Sequence, residues 1–319
     1  AHCMIIFGLY RGESAMELNT SHAKDTGRPG KNEPHAQQHP FSDILRTLSP
    51  TDHLDSLFND NTIQWAARFS PHQFLALEKL YSYLERSYNN SGFIGRGYHC
   101  LEHSLEVAVL LYEMAKCAKV KSLNRFGNNA YMFEQHPIPL LKKGTEYLLE
   151  LAVAAMLHDW DPARTYNEIP KVDRTLCAVT IDNTVLSLIR EMNMSVNRIL
   201  LLIERTEYPY TSEKNSRWLS KVCVHIPADE SASFVRGAES LALADKASTY
   251  LVLPLEMAIA RIRGLADEMC VPESDLVAGT YQFLYEENIF EVLNYLPEEY
   301  WTSSKEMSEY FKAHDRSTI

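Results

Sequence analysis

The chain has 319 residues, of which 45% are hydrophobic and 10% aromatic, and its formal net charge is -11. This acidic balance argues against a general binder of nucleic-acid polymers or membrane surfaces. No apolar run approaches the roughly 18 to 20 residues that span a bilayer, and the six cysteines form no CxxC pair. The composition therefore favours a cytoplasmic protein with reduced thiols and a sizeable core.

The N-terminal segment 1–40 is predicted to be a flexible tail. From residue 19 to residue 40 it is polar, contains three prolines and has almost no apolar side chains. Its histidines are irregularly spaced, which favours solvated side chains over a metal site. From Phe41 to about residue 315 the apolar residues follow a helical spacing.

This spacing predicts nine helices, at 71–88, 101–118, 145–159, 183–192, 195–206, 231–252, 254–269, 275–293 and 303–314. The helix 145–159 is apolar nearly all round, which is typical of a central buried helix, and Asn183 and Ser195 are predicted N-caps. No alternating strand and no internal repeat is found. The fold class predicted for 41–315 is therefore all-α, a single multi-helix domain. The connection 119–144 is read equally well as a lid or as a floppy insertion.

Three polar groups stand in otherwise apolar helical surroundings. His99 and His103 are four residues apart, which places both imidazoles on one helix face if the helix already runs at His99. His158 and Asp159 end the apolar helix about 55 residues further on, and Asp245 follows about 86 residues later inside another apolar stretch. Because buried imidazoles and carboxylates are unfavourable unless they are paired or bind metal, the ordered set predicts a metal site.

These motifs resemble the HD superfamily of metal-dependent phosphohydrolases. The segment 98–107, YHCLEHSLEV, is similar to the YHN-x-x-H-A-x-D-V signature of class I cyclic-nucleotide phosphodiesterases, and LALADKAS (241–248) is similar to their A-D-L-S segment. The resemblance covers roughly residues 95–250. It implies an HD or phosphodiesterase-like helical domain.

The resemblance also implies residue roles. The metal ligands would be His103, His158, Asp159 and Asp245, and Asp159 would act in catalysis by bridging to a second ion. His99 would be the general acid that protonates the leaving oxygen. Two histidines and two carboxylates suit a divalent ion such as Mg, Mn, Zn or Fe, at one site with a second ion left open.

The sequence departs from the phosphodiesterase pattern at several positions. Asp161 stands where the family has a further histidine, and it is predicted either to hold water at a second ion or to cap the next turn. No convincing purine-clamping Gln and Phe pair is found, so a cyclic-nucleotide specificity is not assigned. The interval 160–224 contains no histidine, which argues against the histidine-rich second iron site of HD-type oxygenases.

Basic residues near the motifs are candidates for phosphate contacts, because guanidinium groups match phosphate oxygens well. Arg96 and Arg164 are the predicted pair, and the further candidates are Lys171, Arg174, Arg205 and Lys246. Glu102 and Glu106 flank His103 along its helix. Either could orient the imidazole, but a solvent-exposed face is the expectation for both.

The function predicted from the sequence is metal-assisted hydrolysis of a phosphomonoester or phosphodiester, plausibly of a nucleotide or cyclic nucleotide. The partner would be this small-molecule substrate, with no nucleic-acid polymer and no membrane. Two alternatives stay open: an HD-type iron oxygenase, and a non-catalytic HD protein that binds a nucleotide or a partner. The histidine-free interval argues against the first, and the intact set of buried charges argues against the second.

Overall fold

The computed structural model describes residues 70–88, 97–116, 145–162, 171–208, 210–286, 289, 293 and 299–315. The predicted tail 1–40 and the connection 119–144 lie outside the described residues, and so does the stretch 41–69. The described residues belong to one compact unit. They fold into eleven helices and contain no strand, which confirms the predicted all-α class.

In chain order the helices are α1 (Pro71–Tyr88), α2 (Leu101–Lys116), α3 (Thr145–Leu157), α4 (Lys171–Ile181), α5 (Asn183–Glu191), α6 (Val196–Glu204), α7 (Ser212–His225), α8 (Ala228–Leu251), α9 (Leu255–Met269), α10 (Glu273–Glu286) and α11 (Glu299–His314). All nine predicted helices are present, although their ends differ by a few residues and α10 ends earlier than expected. The helices α4 and α7 were not predicted. Within the described residues, no helix has the length and apolar character that crossing a membrane would require.

The two unpredicted helices have weak apolar stripes. The α7 sequence buries only Trp218 and Val222, one turn apart, and the Trp218 indole nitrogen donates to the Leu201 carbonyl at 2.8 Å. The buried face of α4 mixes Val172, Ala178 and Val179 with a threonine. These helices bury few apolar side chains among many polar ones, so they depend on tertiary packing and do not stand out as apolar segments in the sequence.

The predicted N-caps of α5 and α6 have different outcomes. The α5 cap is Asp182, whose carboxylate accepts a hydrogen bond from the Val185 backbone N–H at 2.9 Å, so the prediction of Asn183 is wrong by one residue. An aspartate at this position satisfies a helix-end donor directly. Ser195 is confirmed as the cap residue of α6, with extended backbone and no side-chain capping bond.

The helix α3 lies at the centre of the core, as its all-round apolar sequence predicts. Residues 149–157 are buried on every side, and α3 packs against α2, α6 and α8. The chain leaves α3 through a turn anchored by the buried Trp160, whose indole nitrogen donates to the Ser87 hydroxyl of α1 at 2.9 Å. The end of α3 is therefore held in the interior and does not reach solvent.

A close backbone contact joins α9 to the segment that precedes α2. A Cβ added to Gly97 would lie 2.5 Å from the Gly264 Cα, and a Cβ added to Gly264 would lie 2.5 Å from the Gly97 backbone. Only glycine at both positions permits this approach. The contact brings the residues after Gly97 against the last turn of α9.

Candidate metal centre

Four side chains from three packed helices meet at one point. His103 projects from the first turns of α2, His158 and Asp159 follow the end of α3, and Asp245 lies in the long helix α8. The helices α2, α3 and α8 contact one another pairwise. The structure thereby assembles the whole predicted ligand set from positions that are far apart in the sequence.

One possible ligand atom from each of the four residues lies within 4.8 Å of the other three. The Nε2 atoms of His103 and His158 each lie 3.1 Å from Oδ1 of Asp245. Oδ2 of Asp159 lies 3.3 Å from His158 Nε2 and 3.7 Å from His103 Nε2. Two imidazole nitrogens and two carboxylate oxygens thus surround a common point.

Each histidine ring has an oxygen atom facing its Nδ1, on the side away from the other candidate ligands. Nδ1 of His158 donates to the Ala155 carbonyl at 2.7 Å, which leaves the Nε2 lone pair directed at the other ligands. Behind His103, Nδ1 faces Oε2 of Glu106 at 3.8 Å. Glu106 is fully buried and its Oε1 accepts from Nη2 of Arg261 at 2.7 Å. The expectation of a solvent-exposed Glu106 is therefore wrong, because Arg261 from α9 compensates its buried charge; Glu102 is exposed, as expected.

The residues fit a divalent metal ion. His103, His158 and Asp159 are at most 1% exposed, and Oδ2 of Asp159 has no hydrogen-bond partner among the described residues. A buried carboxylate oxygen without a donor is unfavourable unless a cation binds it. The mixed nitrogen and oxygen donor set suits Mn, Zn or Fe at least as well as Mg.

Protons bound to the candidate ligands compete with a metal ion for the same atoms. Burial alone lowers the pKa of His158, but the charges of Asp159 and Asp245 outweigh burial and raise the pKa to about 10. Burial likewise opposes ionisation of Asp245, yet protonated His158 and hydrogen bonds from both histidines hold the pKa of Asp245 well below its ordinary value. In the metal-free protein these charges therefore favour a proton on His158.

We expect the affinity for Mn²⁺ to weaken as pH falls from 8 to 6, by about tenfold per pH unit for each proton displaced.

The stability of the metal-free protein is expected to fall as pH rises into the alkaline range, opposite to the metal affinity. Because the pKa of His158 is raised by folding, its contribution to stability is complete below the unfolded-state pKa of 6.5 and is lost as pH rises towards 10. Because the pKa of Asp245 is lowered by folding, its contribution is present above the unfolded-state pKa of 3.8. Calorimetric titration at three pH values, with melting of the metal-free protein, measures both trends. An affinity independent of pH would contradict this proton competition.

His99 precedes α2, which begins at Leu101, so the prediction that it shares a helix face with His103 is wrong. It lies beside the candidate metal centre, and a carboxylate holds its ring. Its Nδ1 lies 2.6 Å from Oε2 of Glu268, and Oε1 of Glu268 accepts from the backbone N–H groups of Tyr98 and His99 at 2.9 and 3.2 Å. The His99 side chain is 23% exposed. Burial, then the charge of Lys171, lowers the pKa of His99, against the raising effect of Asp159 and Glu268. Nε2 of His99 is therefore the nitrogen left for a substrate.

The remaining predicted site residues have varied positions. Arg96 and Arg164 lie outside the described residues, so their phosphate contacts stay predictions. Asp161 is 1% exposed and its Oδ2 accepts from Nε of Arg174 at 2.8 Å; its role at a second ion also stays a prediction. Arg205 stacks on the Tyr210 ring at 3.8 Å, and the Lys246 ammonium lies 5.1 Å from the Tyr208 ring centroid. Lys171 contacts Oδ1 of Asp159.

Sequence patterns did not identify three residues of this site in their observed roles. Glu268 and Arg261 lie on α9, which reads as an ordinary amphipathic helix with charged residues on its polar face. In the sequence, Lys171 is only one of several basic residues near the motifs that are candidates for phosphate contacts. Their partners are separated from them along the chain, by 169 residues for Glu268 and His99. The contact between Gly97 and Gly264, which places α9 against the His99 segment, could not be predicted from the sequence either.

The described residues thus define an all-helical protein with a buried histidine and aspartate group that could hold a metal ion. Comparison with models of known protein families finds no match. Comparison with curated proteins likewise finds no relative. The resemblance of the motifs to the HD phosphohydrolases stays a prediction, and the functional argument depends on the geometry of the site.

Proposed function

We propose that this protein is a metal-dependent phosphohydrolase that cleaves a phosphomonoester or a phosphodiester, with a nucleotide or cyclic nucleotide as the expected substrate class. The supporting observation is the pairing of a four-ligand metal centre with a separate, partly exposed histidine that a glutamate orients. A protein that only bound metal for stability would not need such a histidine beside the centre. Metal-assisted hydrolysis of a phosphoester with a poor leaving group uses both groups.

Each residue of the site has a distinct role in the proposed hydrolysis. His103, His158, Asp159 and Asp245 would hold the ion, which when bound lowers the pKa of water and offsets negative charge on phosphoryl oxygens. Glu268 holds His99 through Nδ1, so Nε2 is the nitrogen that would carry the donated proton. Asp245 is the ligand with the most exposed side chain, at 21%. Substrate would approach from this side.

The reaction balances without a further reactant. The oxygen of a water molecule forms a bond to phosphorus, and the bond between phosphorus and the leaving oxygen breaks. The leaving oxygen keeps that electron pair and takes the proton from His99 Nε2, which yields an alcohol. The proton lost by the attacking water passes to solvent, and a proton from solvent restores His99. Glu268 stabilises the charged imidazole before the transfer.

A substrate panel tests the proposal. Wild-type protein loaded with Mg²⁺ or Mn²⁺ is expected to hydrolyse at least one member of a panel of phosphomonoesters, nucleotides and cyclic nucleotides, and Asp159→Ala is expected to remove this turnover. Asp173→Ala, at an exposed position of α4, is the matched control and should keep full activity. Folded, metal-loaded wild type that turns over no member would argue against the proposal, and tightly bound iron in aerobically purified protein would favour the oxygenase alternative.

A further inference from the structure

The two oxygens of Asp159 face different partners. Oδ2 is directed at the imidazole nitrogens of His158 and His103, at 3.3 and 3.7 Å. Oδ1 is on the other side of the carboxylate and contacts the ammonium nitrogen of Lys171. Only one oxygen of Asp159 is therefore turned towards the metal ligands.

Lys171 reaches this carboxylate from the first residue of α4. The lysine side chain is 32% exposed, whereas Asp159 is 1% exposed, so the ammonium lies at the boundary between the buried centre and solvent. Its charge also acts on His99, since Lys171 is the largest cause after burial of the lowered His99 pKa. The ammonium is consequently close to both the metal ligands and the proton donor, and solvent can reach it.

A second metal ion would need the same space. In two-ion phosphohydrolase sites the ions are about 3.5 to 4 Å apart and share a carboxylate, one oxygen to each ion. The ammonium in contact with Oδ1 of Asp159 fills that position and would repel a cation there. Asp161, the other carboxylate of this turn, accepts instead from Arg174 at 2.8 Å.

We propose that Lys171 takes the place of a second metal ion: the centre holds one divalent cation, and the Lys171 ammonium binds a phosphoryl oxygen of the substrate. The inference rests on the proposed phosphohydrolase function and adds a substrate-binding residue to it. A lysine ammonium has three N–H donors, so one can bond Asp159 while others contact phosphate. The divalent cation and the Lys171 ammonium would then together stabilise the negative charge of the phosphoryl group.

The first test counts ions. Metal-free protein is titrated with Mn²⁺, and bound metal is measured by elemental analysis after removal of free ion. We expect one Mn²⁺ per chain in the wild type and two in Lys171→Asp, which places a carboxylate where the ammonium was. Two ions in the wild type would overturn the inference yet leave the phosphohydrolase proposal standing, whereas no bound ion would overturn both.

The second test measures phosphate binding with the ion in place. Inorganic phosphate is expected to bind the Mn²⁺-loaded Lys171→Met variant about 10- to 100-fold more weakly than the wild type, with Mn²⁺ still bound, and Lys171→Arg should recover part of the loss. Lys305→Met, at an exposed lysine of α11, is the matched control. Unchanged phosphate binding in Lys171→Met, or loss of the ion itself, would overturn the assignment of Lys171 to the substrate.

Discussion

Replacement of Asp245 by asparagine is expected to abolish metal binding and phosphoester hydrolysis together while leaving the helical fold intact. Oδ1 of Asp245 is the atom that both histidine Nε2 atoms approach, at 3.1 Å each. Asparagine keeps the volume and one oxygen but removes the negative charge that attracts the cation. We expect the Mn²⁺ affinity to fall at least about 100-fold, because an amide oxygen is a much weaker ligand than a carboxylate in a buried site.

The measurement combines metal content, melting temperature and turnover. At a Mn²⁺ concentration about 100 times its Kd, the wild type should gain about 2.7 kcal/mol of stability and melt about 5 to 10 °C higher. Asp245→Asn, with an affinity at least about 100-fold lower, should gain at most about 0.4 kcal/mol. Asp173→Asn makes the same chemical change at an exposed position of α4 and should behave as wild type. If Asp245→Asn retained stoichiometric metal and full turnover, the four-ligand centre would be refuted.

The second large effect is expected at the proton donor. His99→Gln should lower kcat for an ester with a poor leaving group, such as a nucleoside phosphate, by about 100- to 10,000-fold. The same variant should lose less than about tenfold on p-nitrophenyl phosphate, because the nitrophenolate leaving group departs without a proton. Metal content should not change, since His99 is not a ligand. Equal losses on both esters would show that His99 does not protonate the leaving oxygen.

Glu268 can be distinguished from His99 by the pH dependence of turnover. The Glu268 carboxylate raises the pKa of His99 against burial and Lys171, so Glu268→Gln should lower this pKa. Because a general acid must be protonated, the alkaline limb of the pH–rate profile should move to lower pH in the variant. Glu273→Gln, at an exposed glutamate paired with Arg263, is the control. An unshifted profile would assign Glu268 a structural role only.

The four candidate ligands were predictable because each carries a local signal. His158 and Asp159 come directly after an apolar helix, and Asp245 interrupts another apolar stretch, so each implies an unfavourable burial that needs a cation or a partner. His103 was connected to this set only by its four-residue spacing from His99, although the two do not share a helix face, because α2 begins at Leu101. Apolar spacing likewise sufficed for helices such as α5 and α6, and α3 is recognisable because it is apolar nearly all round.

The supporting residues were not predictable in the same way. Glu106 and Arg261 are both charged and both look like surface residues, and only their 2.7 Å contact explains the full burial of Glu106. Nothing near His99 in sequence shows that its partner is Glu268 on α9. Long-range pairs of this kind depend on how helices pack, and one sequence contains no record of which polar faces meet.

The sequence by itself thus determined the all-helical class, the positions of most helices and the identity of the four candidate ligands, because helical periodicity and misplaced polar groups are local properties of the chain. Only the tertiary structure decided that the Gly97 and Gly264 backbones touch, that Glu268 holds His99, and that Lys171 covers one oxygen of Asp159. The physical reason is that these contacts arise from the relative placement of α2, α4 and α9. That placement follows from the packing of the whole core.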